Sequence, residues 1–388
     1  MEKNVRLAEN TISKEELQNL ANWITRTDQL TKGPLTINFE KEFASYIGTE
    51  YCVFVNSGSS ANLLMFYALL EGGFLKNKKA IVPAISWITT LAPALQIGLE
   101  VTLCDADKNN LGVDINHFEY LCKSNQGGVA IMVHVLGHPN SIEDVKYLCD
   151  KYNITLIEDS CEALGSVYKG TKLGATTFAS SFSMYYGHHI STIEGGMVTT
   201  NDRKLFEIMM SIRSHGWVRD LPAETQKTWC SHFNINEFRK FYSFFYLGFN
   251  LRSTDLNAFL GLQQLKKLDE LVKKREENFY LYKKLLNQYY AQNSNNDVLS
   301  SFAYGTLVDN PLDVYYYLRK NGIECRPLIC GSMGSQPFWI KKFGKTKLDI
   351  ADKIHSNGVY LPNHGKLNKE RIEFVCSTFK EIARPYSI

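Results

Sequence analysis

The chain has 388 residues, of which 44% are hydrophobic and 21% are charged, a composition typical of globular proteins that excludes extended disorder. At roughly 150 residues per domain, this length predicts two to three domains. The formal net charge of +3 is too small to indicate a nucleic-acid-binding protein. The sequence has no apolar run of about 18 residues and no apolar core of a signal peptide, so we expect a cytoplasmic protein that does not span a membrane.

Nine cysteines are scattered along the chain, and none of them forms a CxxC or CxC motif. This distribution favours free thiols in a reducing compartment over a disulfide framework. No spacing among the cysteines indicates a metal or iron–sulfur site, and we expect none.

The first half of the chain alternates short apolar segments with helical patterns. We predict seven strands, most of them rich in the β-branched residues typical of strands buried on both faces, at 52–55, 80–85, 100–105, 129–136, 155–159, 180–184 and 196–200. Helices are predicted between them at 60–71, 89–97, 115–124 and 141–152. This alternation predicts an α/β fold with a seven-stranded, mostly parallel sheet in its large domain.

The second half of the chain departs from this alternation. Residues 202–250 are aromatic and irregular, and could form either a packed insertion or a loop that covers substrate or contacts another subunit. Apolar residues at helical spacing then predict one long helix over about 255–288, followed by a smaller α+β region from about 295. We therefore predict a large domain with the N-terminal segment at 1–250, and a linking helix with a small C-terminal domain at 251–388.

The first candidate site follows the strand at 52–55, where Asn56-Ser57-Gly58-Ser59-Ser60 precedes a helix. Gly58 permits a tight turn, and the free N–H groups of the first helical turn, together with the serine hydroxyls, can bind an anion. The segment is neither a Walker loop nor a GxGxxG motif, so ATP and NAD sites lose support. A helix that is merely capped by serine would show the same residues.

Two further segments carry candidate chemistry. Asp159 ends a predicted buried strand, at the sheet edge where α/β proteins place ligands, and could pair with the pyridinium nitrogen of pyridoxal phosphate or simply cap a helix. The segment 181–200 carries His188 and His189 in a loop before Glu194-Gly195-Gly196. Adjacent side chains point apart in most conformations, so at most one of these histidines faces a given site, and a surface histidine is the alternative.

In this order and spacing, the three segments resemble those of the DegT/DnrJ/EryC1/StrS sugar aminotransferases, a family of fold-type I pyridoxal-phosphate enzymes. The family carries an S-G-T/S-x-A loop, an E-D-x-A/C-x-A-x-G strand end and an S-F-x…K-x₅-E-G-G segment. The resemblance extends over about residues 12–375. It implies the fold-type I architecture, pyridoxal phosphate as cofactor, and a homodimer with shared active sites.

The sequence departs from this family at one position. Six residues before the glutamate of the EGG motif, the family has a lysine that holds the cofactor as a Schiff base, whereas this chain has His188. No lysine lies between Lys172 and Lys204. Imidazole cannot form an imine with an aldehyde, but it can move protons near neutral pH. We therefore do not expect an ordinary transaminase.

A histidine at this position resembles the sugar 3-dehydratases of the family, which are of two kinds. One acts on CDP sugars with an iron–sulfur cluster and carries a CxC motif that is missing here. The other is cluster-free and converts GDP-4-keto-6-deoxy-D-mannose towards colitose, a sugar of bacterial surface polysaccharides. The second kind implies pyridoxal or pyridoxamine phosphate bound without a covalent bond, L-glutamate as cosubstrate, and release of ammonia. The CDP-sugar enzyme and a catalytically silent, cofactor-binding regulator are the alternatives.

The resemblance also implies roles for individual residues. His188 is expected to be the catalytic base, and His215 is a second catalytic candidate. The residues expected to bind the cofactor are Gly58, Ser59, Trp87, Asp159, Glu162, Ser183 and, from a partner subunit, Asn250.

Arg219 and Arg326 are expected to bind the sugar, its diphosphate or the glutamate carboxylate, because guanidinium offers paired donors to such anions. Surface ion pairs are the alternative for both arginines, and a core position is the alternative for Trp87. His189 is expected to be structural.

Overall fold

The computed structural model describes residues 4–388, and a seven-stranded sheet forms its centre. The strands of this sheet are, in chain order, β1 (Tyr51–Val55), β2 (Lys79–Pro83), β3 (Glu100–Cys104), β4 (Val129–Val133), β5 (Thr155–Asp159), β8 (Ala179–Ser183) and β9 (Gly196–Thr200). A separate hairpin lies between β5 and β8 and consists of β6 (Val167–Tyr168) and β7 (Thr171–Lys172).

The order across the sheet is β1-β9-β8-β5-β4-β2-β3. Adjacent strands from β3 to β8 are parallel, whereas β9 runs antiparallel to both β8 and β1. The predicted seven-stranded, mostly parallel sheet is confirmed. Because the carboxyl ends of its parallel strands share one edge, that edge is where a ligand site is expected.

Helices pack against both faces of this sheet. Those in contact with its strands are α2 (Pro34–Ile47), α3 (Gly58–Glu71), α4 (Ile88–Gln96), α5 (Ile115–Ser124), α6 (Ile142–Tyr152) and α7 (Arg203–Arg213). The other helices before the C-terminal part are α1 (Lys14–Ile24), α8 (Ala223–His232), α9 (Asp255–Leu265) and α10 (Leu268–Leu285). Alternate residues of a strand point to opposite faces. In β4, Ile131 packs with apolar residues of α3, α4 and α7, whereas its neighbour Met132 packs with those of α5 and α6.

Two segments differ from the sequence prediction. Residues 202–250, expected to be irregular, contain α7 and α8, and α7 begins where the Asp202 side chain accepts a hydrogen bond from the Leu205 N–H at 2.7 Å. The long helix expected over 255–288 is two helices. It is interrupted at Lys267, which leaves helical geometry (φ −108°, ψ 6°) and donates to Glu16 at 2.8 Å.

The C-terminal part forms a second layer with a core of its own. A three-stranded antiparallel sheet contains β10 (Tyr304–Leu307), β11 (Arg326–Pro327) and β12 (Gly358–Leu361), and the remaining helices are α11 (Pro311–Lys320), α12 (Pro337–Phe343), α13 (Asp349–Asn357) and α14 (Lys369–Lys380). Val5, near the start of the described chain, pairs with Ile323 of this part. A domain boundary near residue 250 stays a prediction. Within residues 4–388, no helix is long and apolar enough to cross a bilayer.

Candidate active site

A cavity of about 630 Å³ opens at the carboxyl ends of β4, β5 and β8. Its walls come from the large sheet, from the first turn of α3 and from the C-terminal sheet. The structure brings eight of the residues predicted for the site together around it: Gly58, Ser59, Trp87, Asp159, Glu162, Ser183, His188 and Arg326.

The start of α3 forms a cradle at one end of this cavity. Ser57 caps the helix by accepting a hydrogen bond from the Ser60 N–H at 3.1 Å, and the first N–H groups of a helix have no partner within it. Gly58 lies directly against β8, because a Cβ at this position would be 2.6 Å from the Cβ of Ser183. Helix N–H groups and the hydroxyls of Ser59 and Ser183 thus line one cradle, which fits a phosphate group.

Asp159 lies at the end of β5, and its side chain is buried. One carboxylate oxygen accepts hydrogen bonds from the Asn62 amide at 2.9 Å and the Thr90 hydroxyl at 2.7 Å, and the other accepts from the Cys161 N–H at 3.1 Å. The Ser181 hydroxyl in turn donates to the Asn62 side-chain oxygen at 2.7 Å. Three donors hold the two carboxylate oxygens in place at the floor of the cavity, which fits pairing with a ring nitrogen.

Asn62 and Thr90, which fix this carboxylate, are not among the residues predicted for the site. Both side chains are buried, and Asn62 lies among apolar residues of α3, where a polar residue is the only signal that the sequence offers. Their function depends on the approach of α3 and α4 to β5, which residue spacing does not specify.

His188 is half-buried at the cavity wall, and its ring has a defined tautomer. Its Nδ1 lies 2.8 Å from the Cys161 carbonyl oxygen. Because a carbonyl oxygen only accepts, Nδ1 carries the proton and Nε2 keeps its lone pair. Burial lowers the pKa of His188 to about 4, although the hydrogen bond to Cys161 acts in the opposite direction. The imidazole is therefore neutral near pH 7 and can act as a base.

Other residues that line the cavity are charged or aromatic. Burial raises the pKa of Glu162 to about 7, and its carboxylate accepts a hydrogen bond from the Leu136 N–H at 2.9 Å. The guanidinium carbon of Arg326 lies 4.3 Å from the ring centre of Tyr360 and 5.8 Å from that of Trp87. Its Nε is buried without a hydrogen-bond partner among the described residues, so this cation can still bind an anion.

Trp87 precedes α4 and is 48% exposed. The alternative that it belongs to the core is therefore wrong. A flat ring exposed in the cavity fits stacking against another aromatic ring.

Three of the predicted residues lie outside the lining of this cavity: His215, Arg219 and Asn250. They lie near one another on the surface formed by residues 214–252. Arg252 donates to the Asn250 side-chain oxygen at 3.0 Å, and its Nη2 lies 3.4 Å from the His215 ring. Arg219 packs on the Trp217 ring at 4.5 Å. Within one chain, these side chains do not contribute to the cavity.

His189 differs from its neighbour in both exposure and partner. It is 1% exposed, and its Nε2 donates to the Ser300 carbonyl oxygen at 3.0 Å. Burial keeps the pKa of His189 well below its ordinary value. The two histidines thus point apart, with His188 towards the cavity and His189 into the protein.

The fold and the cavity agree with one class of protein. The chain belongs to the DegT/DnrJ/EryC1/StrS aminotransferase family, which matches residues 11–380. Among its relatives, the GDP-4-keto-6-deoxy-D-mannose 3-dehydratase of Yersinia pseudotuberculosis is 32% identical over 391 residues, which cover 97% of this chain and 98% of the relative.

Two solved structures of this kind of dehydratase are also similar. The E. coli GDP-4-keto-6-deoxy-D-mannose-3-dehydratase with bound hydrated PLP has a TM-score of 0.87 and 29% identity, covering 97% of this chain and 99% of that chain. A GDP-4-keto-6-deoxymannose-3-dehydratase with a trapped PLP-glutamate geminal diamine has a TM-score of 0.86 and 28% identity, covering 97% and 100% of the two chains. Within residues 4–388, no group of three or more His, Cys, Asp or Glu side chains is arranged to hold a metal ion.

Proposed function

We propose that this protein is a pyridoxal-phosphate-dependent 3-dehydratase that removes the C3 hydroxyl of GDP-4-keto-6-deoxy-D-mannose, with L-glutamate as cosubstrate. The observation that carries the proposal is the imidazole of His188, whose Nδ1 is held by the Cys161 carbonyl, at the position where the family has its lysine. Relatives that cover nearly the whole chain are named for this reaction. The nine free cysteines fit a cytoplasmic enzyme.

The residues around the cavity fit the cofactor. Asp159 would pair with the pyridinium nitrogen, Trp87 would stack on the ring, and the cradle of Gly58, Ser59 and Ser183 would hold the phosphate. The raised pKa of Glu162 fits a carboxyl that shares a proton with the cofactor hydroxyl. When bound, pyridoxal phosphate supplies an electron sink, and Asp159 strengthens it by keeping the ring nitrogen protonated.

His188 moves the protons of the reaction. Its Nε2 removes a proton, and the electron pair left behind moves towards C3 of the sugar and expels the C3 hydroxyl. The imidazolium that has formed then protonates this departing hydroxyl. In sum, the 4-keto sugar and glutamate give the 3-deoxy-4-keto sugar, 2-oxoglutarate and ammonia. The atoms balance, because the oxygen lost by the sugar equals the oxygen gained by the carbon skeleton of glutamate.

Arg326 would bind the anionic part of a substrate. Its buried, unpartnered Nε and its place between Trp87 and Tyr360 fit a carboxylate or a phosphate group. Glutamate and the GDP diphosphate both offer such an anion, and the two bind at different stages of the proposed reaction.

The proposal includes a homodimer whose two chains complete each cavity. His215 and Arg219 are candidates for the site and Asn250 resembles a family position that acts from the partner subunit, yet all three lie outside the cavity of their own chain. Asn250 is exposed on the surface of residues 214–252, where a second chain could receive it. We propose that these three residues reach the partner's cavity.

The test uses the purified wild-type protein with pyridoxal phosphate and L-glutamate. We expect the absorbance of the cofactor to convert from its aldehyde to its amine form, with one equivalent of 2-oxoglutarate. Addition of GDP-4-keto-6-deoxy-D-mannose should then release ammonia and the 3-deoxy sugar. His188→Asn is the matched variant, and it should bind the cofactor and lose turnover by about 100-fold or more.

Three other results would each contradict the proposed reaction and indicate a different function. Conversion of the cofactor without ammonia, but with a stable 4-amino sugar, would indicate a transaminase. Turnover of the CDP sugar only, with iron in the protein, would indicate the other kind of dehydratase. Absence of any conversion would indicate a silent cofactor-binding protein.

A further inference from the structure

Resting on the role proposed for His188, we propose that Phe302 is a positioning residue for this imidazole and that His189 anchors the segment that carries Phe302. Phe302 is not among the residues predicted for the site, and His189 is expected only to be structural. In this proposal the two adjacent histidines have different roles, because His188 acts at the cavity and His189 supports the residue that positions it.

The His188 ring is held from two directions. The Cys161 carbonyl fixes Nδ1 at 2.8 Å, which sets the direction of the hydrogen bond. The Phe302 ring packs on the imidazole at 5.0 Å between ring centres, with an interplanar angle of 44°, and Phe302 also lines the cavity. A hydrogen bond at one edge leaves the ring free to tilt, and a flat neighbour removes that freedom. The two contacts together aim Nε2.

The Phe302 backbone is fixed on both sides. Its N–H donates to the Leu136 carbonyl at 2.9 Å, and its own carbonyl accepts from Arg275 Nη1 at 2.9 Å. Leu136 has a left-handed backbone conformation, with a φ of 53°, and its N–H donates to Glu162. The position of Phe302 therefore depends on the left-handed turn that follows β4 and on a carboxylate of the same cavity.

His189 fixes the same segment two residues earlier. Its Nε2 donates to the Ser300 carbonyl at 3.0 Å, and the Ser300 N–H donates to the Ser166 hydroxyl at 2.9 Å. Its ring also lies 5.8 Å from Phe302. The hydrogen bond from His189 to Ser300 thereby fixes the loop that carries both histidines to the segment that contains Phe302. His189 thus helps to hold the residue that packs against His188.

Arg275 completes the support and adds a charge. It is buried, forms no salt bridge with a described carboxylate, and donates to the carbonyl oxygens of Ser301, Phe302 and Asn363. The charges that act on His188 are those of Arg275 and Arg326, which disfavour the imidazolium, and that of Asp159, which favours it. The Arg275 guanidinium thus holds Phe302 in place and also helps to keep the His188 imidazole neutral.

The test compares Phe302→Leu with the wild type in two measurements. In the cofactor-free protein with ¹⁵N-labelled histidine, wild-type His188 should show the Nδ1–H tautomer alone and stay neutral to well below pH 6. In Phe302→Leu we expect both tautomers and a pKa shifted towards its ordinary value. In the dehydration assay, kcat should fall about 10- to 100-fold, because a small misplacement of the base is costly, while KM for the sugar changes less than about twofold.

His189 supplies a second pair of variants. His189→Leu removes the donor to Ser300 and should reproduce the mixed tautomers of His188. His189→Gln can place an amide donor where Nε2 lies, and should restore the single tautomer and most of kcat. The partly buried Phe178, which packs on Phe74 away from the cavity, gives the matched control Phe178→Leu, with His188 unchanged.

An unchanged tautomer and pKa of His188 in both Phe302→Leu and His189→Leu would overturn the proposal. A loss of stability without a change at His188 would likewise assign these residues to the core alone. If wild-type protein releases no ammonia but the tautomer of His188 responds to Phe302, the positioning role stands and the proposed reaction falls.

Discussion

His188 takes the place of the family's lysine, and its surroundings suit an imidazole. The Cys161 carbonyl accepts a hydrogen bond from Nδ1, and Asp159 and Arg326 line the same cavity. A lysine here would bring an amine that can bond to the cofactor aldehyde. The residue at position 188 therefore decides between a tethered and an untethered cofactor, whereas the rest of the cavity fits both.

Replacing His188 by lysine tests directly whether this residue decides between a tethered and an untethered cofactor. We expect His188→Lys to bond covalently to pyridoxal phosphate, so that borohydride reduction adds the mass of the cofactor to the chain. Dehydration should fall about 100-fold or more, because the proton-transfer group is lost and the new amine competes with glutamate. His188→Asn is the control that loses turnover without the mass increase. Wild-type dehydration by the lysine variant would contradict the role of His188.

Among the elements, the contact between β9 and the start of α3 holds the cradle in shape. A Cβ at Gly196 would lie 2.3 Å from the Ser57 carbonyl oxygen and 2.7 Å from the Gly58 nitrogen. Both atoms belong to the backbone, so they cannot move aside as a flexible side chain would. The absence of a side chain at this position lets the strand and the helix meet.

We expect Gly196→Ala to lower the free energy of unfolding by about 1–3 kcal/mol and to weaken the binding of pyridoxal phosphate. Urea unfolding and a fluorescence titration with the cofactor measure the two effects. Gly187→Ala is the matched control for stability, because its Cβ would meet nothing closer than 3.4 Å. Equal stability of the two variants would show that the backbone at Gly196 can shift freely.

The strands of the large sheet and the helices between them could be predicted because local patterns decide them. The bounds predicted for β5 and β9 agree with the structure, and those of the other five strands of the sheet differ by one to three residues. The helices α7 and α8 were not predicted, because the many aromatic residues of 202–250 indicated an irregular segment. The contacts of Asn62 and Thr90 with Asp159 could not be predicted, because they depend on how helices approach a strand from elsewhere in the chain.

For the whole molecule, the location of Asn250 outside the cavity of its own chain predicts that each cavity is completed by Asn250 of a second chain. We mix two inactive variants, His188→Asn and Asn250→Ala, under conditions that exchange subunits. Random pairing makes half of the dimers mixed, and each mixed dimer has one intact cavity. Activity should therefore return to about a quarter of the wild-type value.

The control for this experiment is each variant carried alone through the same exchange. If Asn250 served the cavity of its own chain, every cavity in the mixture would carry one defect. The mixture would then show no more activity than the two variants separately, which would contradict the shared site.

Three deeply buried histidines predict how the stability of the molecule depends on pH. Burial lowers the pKa of His138 and of His364 to about 3, and also lowers that of His189. Below about pH 6.5 the unfolded chain binds protons at these sites and the folded chain does not, so stability falls by about 1.4 kcal/mol per histidine and pH unit. Glu162 acts in the opposite direction, because its pKa is raised to about 7 and the folded state binds its proton first.

His188, with a pKa lowered to about 4, acts in the same direction as the three deeply buried histidines. The net expectation is a loss of roughly 3–4 kcal/mol per pH unit between pH 6 and pH 5. Urea midpoints at pH 7, 6 and 5 measure it. His138→Gln removes one of these histidines and should make the dependence shallower by about a third. A midpoint that stays constant or rises on acidification would contradict the burial of these histidines.

The walls of the cavity are drawn from almost the full length of the chain, from Leu7 to Tyr360. A ribosome that adds roughly 5–20 residues per second delivers Tyr360 about 10–35 seconds after Ser183. Until then, the nascent chain presents a phosphate cradle without the arginine and the tyrosine that close it. The complete cavity thus forms only after Tyr360 has been synthesised, and a chain that stops before Arg326 cannot form it.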